Sequence, residues 1–335
     1  MTSFLTADRL AQANQAAESN QDTRRLRLFS GTANQELARE IGGYLGVPDG
    51  PRVIKRFADG ETYIQIQESI RGCDVFLIQP TCVPVNDHLM ELLIMVDACK
   101  RASARQVTAV IPYYGYARAD RKTAGRESIT AKLVANLLTK SGVDRVLAMD
   151  LHSSQIQGYF DIPCDHIYGS PVLVDYLKTR ELHEIVVVSP DVGGVARARA
   201  FAKQMSDAPL AIIDKRRAAH NVAESLTVIG DVAGKTAVLI DDMIDTGGTI
   251  CQGARLLRNS GAARVLCCAT HAVFSPPAAT RLSEPGLFEE VVVTNSIPLP
   301  PERRFPQLRV LSVANMLGEA IWRIHEESSV SSMFR

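Results

Sequence analysis

Several features that mark particular protein classes are missing from this sequence of 335 residues. No apolar stretch approaches the roughly 18 residues that a membrane-spanning helix needs, so we expect no membrane segment. The first 23 residues are polar and lack the apolar core of a signal peptide, and we predict a disordered tail over 1–23. Lys plus Arg and Asp plus Glu number 37 each, and this zero net charge argues against binding to nucleic acid.

Cysteine pairs of the kind that hold metals are also missing. The seven cysteines show no CxxC spacing and several lie in apolar runs, so we predict buried free thiols in a cytoplasmic protein. Hydrophobic residues make up 46% of the chain and charged residues 22%, which is typical of a globular protein with a substantial core. At this length, two domains fit the usual size range.

The sequence does contain a repeated order of predicted elements. The matched predicted strands are 26–29 with 185–188, 52–57 with 210–214, 75–78 with 238–240, 107–111 with 265–269, and 146–149 with 291–293. Strands that alternate with helices predict two doubly wound parallel-sheet α/β domains, related by internal duplication unless the order is only what any two α/β domains share. We predict one domain over 24–168 and another over 169–335, with a hinge at 168–171.

Residues 237–249, AVLIDDMIDTGGT, are the most informative stretch. A helix that begins near Thr249 would present unpaired backbone N–H groups at its N-terminus, and such groups bind phosphate. Gly247 and Gly248 carry no side chains that would block a phosphate, while Thr246 and Thr249 add hydroxyl donors. The turn is therefore predicted to bind a phosphate group.

Two adjacent carboxylates precede this turn, after a strand predicted to end at Ile240. Asp241 and Asp242 would repel a phosphate, so they are suited to accept hydrogen bonds from sugar hydroxyls or to hold a cation. The simpler alternative is an acidic strand end that caps a helix, but a cap needs neither a second Asp nor paired glycines. The pattern thus favours a ribose phosphate site.

A second glycine-containing stretch, GDVAGKT at 230–236, superficially suggests an ATP-binding P-loop. That motif needs four residues between its first glycine and the GKT, and it precedes a helix. Here three residues intervene and a predicted strand follows, so we predict an ordinary turn.

Five segments together resemble the ribose-phosphate diphosphokinase family, also called phosphoribosyl pyrophosphate synthetases, from about 26 to 324. Besides 237–249, they are RFADGETYIQIQESIRG at 56–72, IPYYGYARADRK at 111–122, MDLHSSQIQGYFDIPCD at 149–165, and SPDVGG at 189–194 with IIDKRR at 212–217. The resemblance implies the type I phosphoribosyltransferase fold. It also implies transfer of the diphosphoryl group of ATP to the 1-hydroxyl of ribose 5-phosphate with Mg²⁺, giving 5-phosphoribosyl 1-diphosphate and AMP for nucleotide biosynthesis.

The resemblance also implies roles for individual residues. Lys215 and Arg217 would be catalytic on a basic loop that closes over ATP, although KRR alone also fits a solvated turn. The implied ATP-binding residues are Phe57, Asp59, Gly60, Glu61, Arg118, Ala119 and His152. The implied ribose 5-phosphate residues are Arg217, Asp241, Asp242, Asp245, Thr246, Gly247, Gly248 and Thr249. His152 and Asp191 would hold the metal.

Two positions depart from the family pattern. Gln usually stands at the position of Ala119, so one polar contact to the nucleotide is absent or comes from a neighbour, and Ser128 stands where Pro is frequent. Ser69, Arg71 and Arg126 match a family site for phosphate activation and ADP inhibition, and they equally fit a salt-bridged surface. The family further implies dimers that share the adenine pocket through an arm that carries the DGE sequence at 59–61. These dimers would assemble into homohexamers.

Two other functions remain as alternatives. A phosphoribosyltransferase would use only the 237–249 loop, and it leaves the DGE, Arg118, His152 and KRR unexplained. A non-catalytic associated subunit would have the same fold, but the intact His152, Asp191 and Lys215 argue against it.

Overall fold

The computed structural model describes residues 26–216 and 225–334. The tail predicted over 1–23 lies outside the described residues. The chain forms two compact units, in which unit 1 runs to Tyr168 and also includes Val313–Arg335, while unit 2 is Gly169–Ser312.

Unit 1 is built on a parallel sheet with the strand order β1-β4-β5-β6-β7. In chain order its elements are β1 (Leu26–Ser30), α1 (Gln35–Leu45), β2 (Arg52–Arg56), β3 (Thr62–Ile66), β4 (Asp74–Ile78), α2 (Val85–Arg101), β5 (Gln106–Ile111), α3 (Thr130–Ser141), β6 (Arg145–Met149), a 3-10 helix (Ser154–Tyr159) and β7 (Cys164–Ile167). Strand β4 is buried at every position, as expected for a parallel strand covered on both faces.

Local signals in the sequence account for the first helix of this unit. Asn34 caps α1 by accepting a hydrogen bond from Leu37 N at 3.2 Å, and Gly46 ends the helix in the left-handed conformation with φ 67°. The buried residues of α1 recur at helical spacing. The cap at Asn34 and the apolar spacing of the sequence thus account for this helix.

Strands β2 and β3 form an antiparallel hairpin outside the main sheet, with Arg52 opposite Ile66 and Arg56 opposite Thr62. Ile54, Ile64 and Ile66 pack against the hydrophobic core of unit 1. The DGE sequence at 59–61 therefore lies at the tip of a hairpin. The predicted repeat matched its first strand, 52–57, with 210–214. The strand at 210–214 joins the main sheet of unit 2, whereas the one at 52–57 does not join that of unit 1.

Unit 2 contains a sheet in the order β10-β9-β8-β11-β12-β13-β14, in which only β10 is antiparallel to its neighbour. Its elements are α4 (Ser170–Lys178), β8 (Ile185–Ser189), α5 (Val195–Gln204), β9 (Leu210–Arg216), β10 (Ser225–Ile229), β11 (Thr236–Ile244), α6 (Gly248–Asn259), β12 (Arg264–Ala272), α7 (Ala278–Leu282), β13 (Glu290–Thr294), a 3-10 helix (Pro301–Arg303) and β14 (Leu308–Leu311). The order β8-β11-β12-β13-β14 repeats that of the sheet in unit 1, as internal duplication predicts.

One predicted strand of unit 2, β9, is longer in the structure. Strand β9 continues past Asp214 because Lys215 and Arg216 pair with Leu226 and Ser225 of β10. The GDVAGKT stretch is a turn before β11, with Gly234 at φ 72°, so its exclusion as a P-loop holds.

The C-terminal segment returns to unit 1 through helix α8 (Ala314–His325). Tyr44 Oη of α1 donates a hydrogen bond to Glu319 Oε2 of α8 at 2.8 Å. A Cβ on Gly318 would lie 2.4 Å from the Tyr44 ring, so glycine permits this close packing. The sequence analysis assigned 313–335 to the second domain, whereas the structure groups them with unit 1 because α8 packs on α1.

A buried ion cluster also ties α8 to the sheet of unit 1. Asp74, at the start of β4, accepts hydrogen bonds from His325 Nδ1 at 2.9 Å and from Arg105 Nε at 2.6 Å. Burial alone would raise the pKa of Asp74, but the hydrogen bonds from His325 and Arg105 outweigh it and hold that pKa below its ordinary value.

All seven cysteines are free thiols, and six of them are buried, as predicted. Across 26–216 and 225–334, no helix has the length and apolar character needed to cross a membrane.

We expect His325→Ala to loosen α8, because it removes a donor from the buried Asp74 carboxylate. The free energy of local opening of α8 should fall by about 1–3 kcal/mol, measured by amide hydrogen exchange. His183→Ala, at an exposed histidine of unit 2, is the control and should leave this exchange unchanged. Equal exchange in α8 of the wild type and His325→Ala would contradict the prediction.

Candidate functional site

The order of the strands in the unit 2 sheet reverses between β8 and β11, which are neighbours in the sheet but not in the chain. From β8 the chain proceeds to β9 on one side, while β11 leads to β12 on the other. Ligands of doubly wound sheets bind at such a point, outside the carboxyl ends of the strands. Asp191 follows β8, and the 241–249 segment lies at the carboxyl end of β11, so unit 2 brings these predicted site residues to one edge of its sheet.

Strand β11 extends beyond its neighbour β8 at this edge. Its pairing with β8 ends at Leu239, whereas its pairing with β12 continues to Ile244. Asp241 and Asp242 therefore lie within β11, and the predicted strand end at Ile240 is wrong. Pairing with β12 extends the strand through these polar residues. On its other side, β11 has no pairing with β8 beyond Leu239.

Asp241 and Asp242 share one counter-charge, the guanidinium of Arg197 in α5. Arg197 Nη1 lies 3.1 Å from Asp241 Oδ1 and 3.3 Å from Asp242 Oδ1. Burial, followed by repulsion from Asp242 and a hydrogen bond with it, raises the pKa of Asp241 to about 8, while the charge of Arg197 opposes this shift. Sequence reasoning missed Arg197, because nothing local to α5 relates it to β11.

The turn after β11 has the geometry of an anion site. Gly247 is the N-cap of α6 with φ 73°, a left-handed conformation that favours glycine. Thr246 and Thr249 are exposed, and their hydroxyls make no hydrogen bond within the described part of the chain. Backbone N–H groups at the start of this 12-residue helix and two hydroxyls are thus available to a phosphate.

Two further side chains belong to this turn. Asp245 is half-buried beside the exposed Thr246. Arg281 Nη1 of α7 donates a hydrogen bond to Thr246 O at 3.0 Å. Arg281 was not predicted, and it adds a positive charge next to the phosphate turn.

The Asp191 loop is closed by its own hydrogen bonds. Gly194 N donates to Asp191 Oδ1 at 2.7 Å, and Ser189 Oγ donates to Asp191 O at 2.7 Å. A Cβ on Gly194 would lie 2.9 Å from Ser189 Oγ, so glycine is needed for this closure. Asp191 itself is exposed, which leaves its carboxylate accessible.

This donor set suits Mg²⁺ bound mainly by a substrate. Within 26–216 and 225–334 there is no group of three or more His, Cys, Asp or Glu side chains that could hold a metal ion. Mg²⁺ commonly takes one or two protein carboxylates and completes its octahedron with phosphate oxygens and water. An accessible single carboxylate such as Asp191 fits that pattern.

The predicted catalytic pair is only partly described. Lys215 lies in β9, whose carboxyl end is at the same edge of the sheet as that of β8. The side chain of Lys215 and all of Arg217 lie outside the described residues, so their roles stay predictions.

In unit 1 the tip of the β2–β3 hairpin carries the DGE residues. Phe57 N donates to Glu61 O at 2.8 Å and Gly60 N to Phe57 O at 3.0 Å, which makes a tight turn with Gly60 at φ 96°. Asp59 and Glu61 are exposed, and Phe57 is 53% exposed with its ring centroid 6.0 Å from that of Tyr63. The tip thus presents an aromatic face and two carboxylates to solvent.

The segment after β5 presents Arg118 on the surface. Ala119 is half-buried, and both of its backbone groups form hydrogen bonds. Its N donates to Tyr116 O at 3.0 Å, and its O accepts from Ala131 N at 3.1 Å. The position where the family usually has Gln therefore anchors the start of α3 through its backbone.

His152 lies just past the carboxyl end of β6 and is exposed. The backbone between β6 and His152 is held by His166, whose Nε2 accepts a hydrogen bond from Leu151 N at 3.0 Å. This histidine was not predicted from the sequence. Asp150 adopts a left-handed φ of 39°, unusual for a residue other than glycine. Asp165 is occupied by an ion pair with Arg145 at 2.6 Å.

The predicted effector residues Ser69, Arg71 and Arg126 are exposed. Ser69 and Arg71 flank the buried Ile70 between β3 and β4. Arg126, at φ 67°, lies in a loop before α3. Glu127 closes that loop by accepting hydrogen bonds from Thr123 N at 2.7 Å and Ala124 N at 2.9 Å.

The loop after β1 in unit 1 is the counterpart of the Asp191 loop, and a carboxylate fills it. Buried Glu91 accepts hydrogen bonds from Thr32 N at 2.6 Å, Thr32 Oγ1 at 2.8 Å and Gln79 Nε2 at 2.7 Å. The backbone and hydroxyl donors of this loop are therefore already paired within the protein, unlike those at the start of α6.

Two family models match most of the described chain. The N-terminal domain of ribose phosphate pyrophosphokinase matches residues 26–142, and the phosphoribosyl synthetase-associated domain matches residues 216–335.

Curated relatives and a solved structure agree with these matches. The chain is 84% identical to the ribose-phosphate pyrophosphokinase of Parasynechococcus marenigrum (strain WH8102) and 83% identical to that of Prochlorococcus marinus (strain MIT 9313), over the full length of all three chains. It is 46% identical to the crystal structure of phosphoribosylpyrophosphate synthetase from Mycobacterium smegmatis, with a TM-score of 0.86, over 91% of this chain and 100% of that one.

We expect Asp241→Asn to make stability less sensitive to pH. The pKa of Asp241 is about 8 in the folded state and near about 3.9 in an unfolded chain, so the folded state binds more protons between these values. The free energy of unfolding of the wild type should therefore fall as the pH rises through this window, and the Asn variant should lack that loss.

The measurement is the melting temperature of variant and wild type from about pH 5 to pH 8, without ligands. The difference in favour of Asp241→Asn should grow with pH. Asp207→Asn, at an exposed position of unit 2, makes the same charge change and should give a constant difference. Parallel curves for Asp241→Asn and the wild type would contradict the prediction.

Proposed function

Because this chain belongs to the ribose-phosphate pyrophosphokinase family, we propose that unit 2 binds ribose 5-phosphate and that unit 1 binds ATP. The chain is an enzyme of the type I phosphoribosyltransferase fold. It transfers the diphosphoryl group of ATP to the 1-hydroxyl of ribose 5-phosphate, giving 5-phosphoribosyl 1-diphosphate and AMP for nucleotide biosynthesis. The observation that carries the division of substrates is the carboxylate pair and open helix N-terminus at the end of β11.

Ribose 5-phosphate has two chemically distinct ends, and the β11 segment offers a partner for each. The 5-phosphate binds the backbone N–H groups at Gly247 and Gly248 and the hydroxyls of Thr246 and Thr249. Asp241 and Asp242 accept hydrogen bonds from the ribose hydroxyls. Asp245 completes the loop between these two groups, and Arg217 contacts the same substrate.

ATP binds through groups that the hairpin and two strand ends of unit 1 present. Phe57 stacks on the adenine, whose amino group donates to a carboxylate at the hairpin tip formed by Asp59, Gly60 and Glu61. Arg118 and His152 bind the polyphosphate, and Ala119, next to Arg118, adds no polar contact because its backbone N and O are paired with Tyr116 and Ala131. Because the hairpin is an exposed arm, we propose that it reaches the nucleotide site of a second copy, within dimers that form a homohexamer.

Diphosphoryl transfer places negative charge on the transferred group, and the chain must supply cations there. Lys215 stabilises that charge, and Arg217 contacts the group in transfer. Asp191 and His152 would hold Mg²⁺, which neutralises the polyphosphate when bound. The nucleophile is the substrate's own 1-hydroxyl. We expect neither Lys215 nor Arg217 to act as a general base.

The remaining parts of the proposal concern the setting. The enzyme works in the cytoplasm and takes no nucleic acid or membrane as a partner. Phosphate activates and ADP inhibits through a site that includes Ser69, Arg71 and Arg126, which a titration of activity with phosphate would test.

A coupled assay for AMP formed from ATP and ribose 5-phosphate tests the activity. AMP should form only with Mg²⁺, and Lys215→Ala should lower kcat roughly 100-fold because its charge acts in the transition state. Lys203→Ala, at an exposed lysine of α5, is the matched control. Absence of magnesium-dependent AMP formation would refute the activity, and an unchanged kcat would remove Lys215 from the mechanism.

Phe57→Ala should raise the KM for ATP by about tenfold, the cost of losing one aromatic stacking contact with a base. The KM for ribose 5-phosphate should not change. Phe57→Tyr keeps the ring and should retain the wild-type KM for ATP. An effect of Phe57→Ala confined to ribose 5-phosphate would show that the adenine assignment is wrong.

A further inference from the structure

Helix α7 packs directly against the turn that follows β11. Its residues Ala278 and Leu282 are buried, and a Cβ on Gly247 would lie 3.6 Å from Ala278 Cα and 3.5 Å from Leu282 Cγ. These are ordinary packing distances, so α7 is in contact with the N-cap of α6. Arg281, next to Leu282 in the chain, is an exposed residue of the same helix. The packing of α7 therefore fixes the point from which the Arg281 side chain extends.

The guanidinium of Arg281 reaches the first residue of α6. Arg281 Nη1 donates a hydrogen bond to Thr246 O at 3.0 Å. A Cβ on Gly248 would lie 3.5 Å from Arg281 Nη1 and 3.8 Å from Thr246 Oγ1. The guanidinium and the hydroxyl thus face the same side of Gly248, whose backbone N–H belongs to the open end of α6. Three kinds of hydrogen-bond donor therefore meet at one place.

The charge of Arg281 is not neutralised by the acid nearest to it in the chain. Glu284 forms an ion pair with Arg255 of α6 instead, and Arg281 has no ion pair within 26–216 and 225–334. The N-terminal end of α6 carries a partial positive charge of its own, so two positive charges lie together. An anion at this place is attracted by both.

The hydrogen-bonding capacity of Arg281 is also largely unused. A guanidinium has five N–H donors, and within the described residues Thr246 O is the acceptor for Arg281. A phosphate offers several oxygens in a geometry that matches the planar fork of an arginine. The side chain can therefore hold the turn and bind a phosphate at the same time.

We propose that Arg281 is a binding residue for the 5-phosphate of ribose 5-phosphate, to which it donates hydrogen bonds beside Gly248. This inference rests on the proposed function of the β11 segment. The 5-phosphate takes no part in diphosphoryl transfer, so Arg281 contributes to substrate binding and not to the chemical step. It selects a sugar that carries a phosphate and leaves ATP binding unchanged.

A purely structural role for Arg281 makes a different prediction. If the side chain only braced the turn through Thr246 O, that hydrogen bond to a neutral carbonyl would depend little on salt. Attraction between an exposed guanidinium and a phosphate weakens as salt screens the charges. The salt dependence of ribose 5-phosphate binding therefore separates the two roles.

Arg281→Met keeps most of the length of the side chain and removes its charge and donors. We expect the Kd for ribose 5-phosphate, measured by titration calorimetry on the full-length protein, to rise about 10-fold or more at low salt. The ratio of the variant Kd to the wild-type Kd should be clearly smaller in about 0.5 M than in about 0.05 M sodium chloride. The same ratio at both salt concentrations would assign Arg281 to bracing and overturn the proposal.

Steady-state kinetics give a second measurement on the same variant. The KM for ribose 5-phosphate should rise in parallel with the Kd, while kcat and the KM for ATP stay within about twofold. Arg281→Lys restores a cation and should recover most of the affinity. A lowered kcat with an unchanged Kd for ribose 5-phosphate would assign Arg281 to the group in transfer and overturn the proposal.

Arg258→Met is the matched control. Arg258 lies near the other end of α6, about 15 Å from Gly248 at the rise of an α-helix. Its Nη1 likewise donates to a backbone carbonyl, Ala263 O, at 2.8 Å. This variant should bind ribose 5-phosphate as the wild type does, and the melting temperature of each variant checks its folding. An equal loss of affinity in Arg258→Met would overturn the assignment to Arg281.

Gly248→Ala tests the same place without altering Arg281. The added Cβ would meet no atom closer than 3.5 Å, so we expect the variant to fold. Its methyl group would lie beside both side-chain donors and should weaken binding of ribose 5-phosphate. Arg281→Met should then cost clearly less affinity in the Gly248→Ala background than in the wild type. Equal costs in both backgrounds would show that the two residues do not meet the same phosphate.

The failure of this inference can be told apart from the failure of the proposed function. If the wild type forms AMP and binds ribose 5-phosphate but Arg281→Met binds it equally well, the role of Arg281 is wrong and the function stands. If the wild type neither forms AMP nor binds ribose 5-phosphate, both are wrong.

Discussion

Mutual repulsion between the Asp241 and Asp242 carboxylates is the constraint on which the carboxyl edge of the unit 2 sheet depends. The two side chains are adjacent in a strand and have little contact with water. The two carboxylates are tolerated because β11 extends beyond its pairing with β8. Arg197 approaches them there from α5. The same extension places the phosphate turn at Gly247 beyond the sheet, where a helix N-terminus is open. Strand length, counter-charge and anion site are thus consequences of one arrangement.

The sequence was sufficient for the family, the activity, the fold class and the repeated strand order. The family and the activity follow from the resemblance of five segments to known motifs, whereas the fold class and the repeated strand order follow from apolar runs, which are local properties. The end of β11 was missed because its ladder depends on the length of β12, a distant strand. Arg197, His166 and Arg281 were missed for a related reason, since each acts on a segment far from it in sequence. The return of α8 to unit 1 is likewise a matter of tertiary packing.

The two sheets show how a duplicated architecture becomes specialised. In both, the first strand of the sheet is followed by a loop, a helix and then an antiparallel strand pair. In unit 2 the loop exposes Asp191, whereas in unit 1 Glu91 occupies the corresponding donors. In unit 2 the strand pair β9–β10 widens the sheet, whereas in unit 1 the pair β2–β3 leaves it as an arm. The two units thus differ in whether the loop after the first strand exposes a carboxylate and in whether the strand pair joins the main sheet.

Unit 1 is assembled from both ends of the polypeptide, with all of unit 2 between them. When a ribosome has just added the last residue of β14, every element of unit 2 has been synthesised, but none of α8. At that moment Asp74 still lacks the histidine that accompanies it in the native state, and α1 lacks the helix that covers Tyr44. All of unit 2 is thus present in the nascent chain before the last elements of unit 1 have been synthesised.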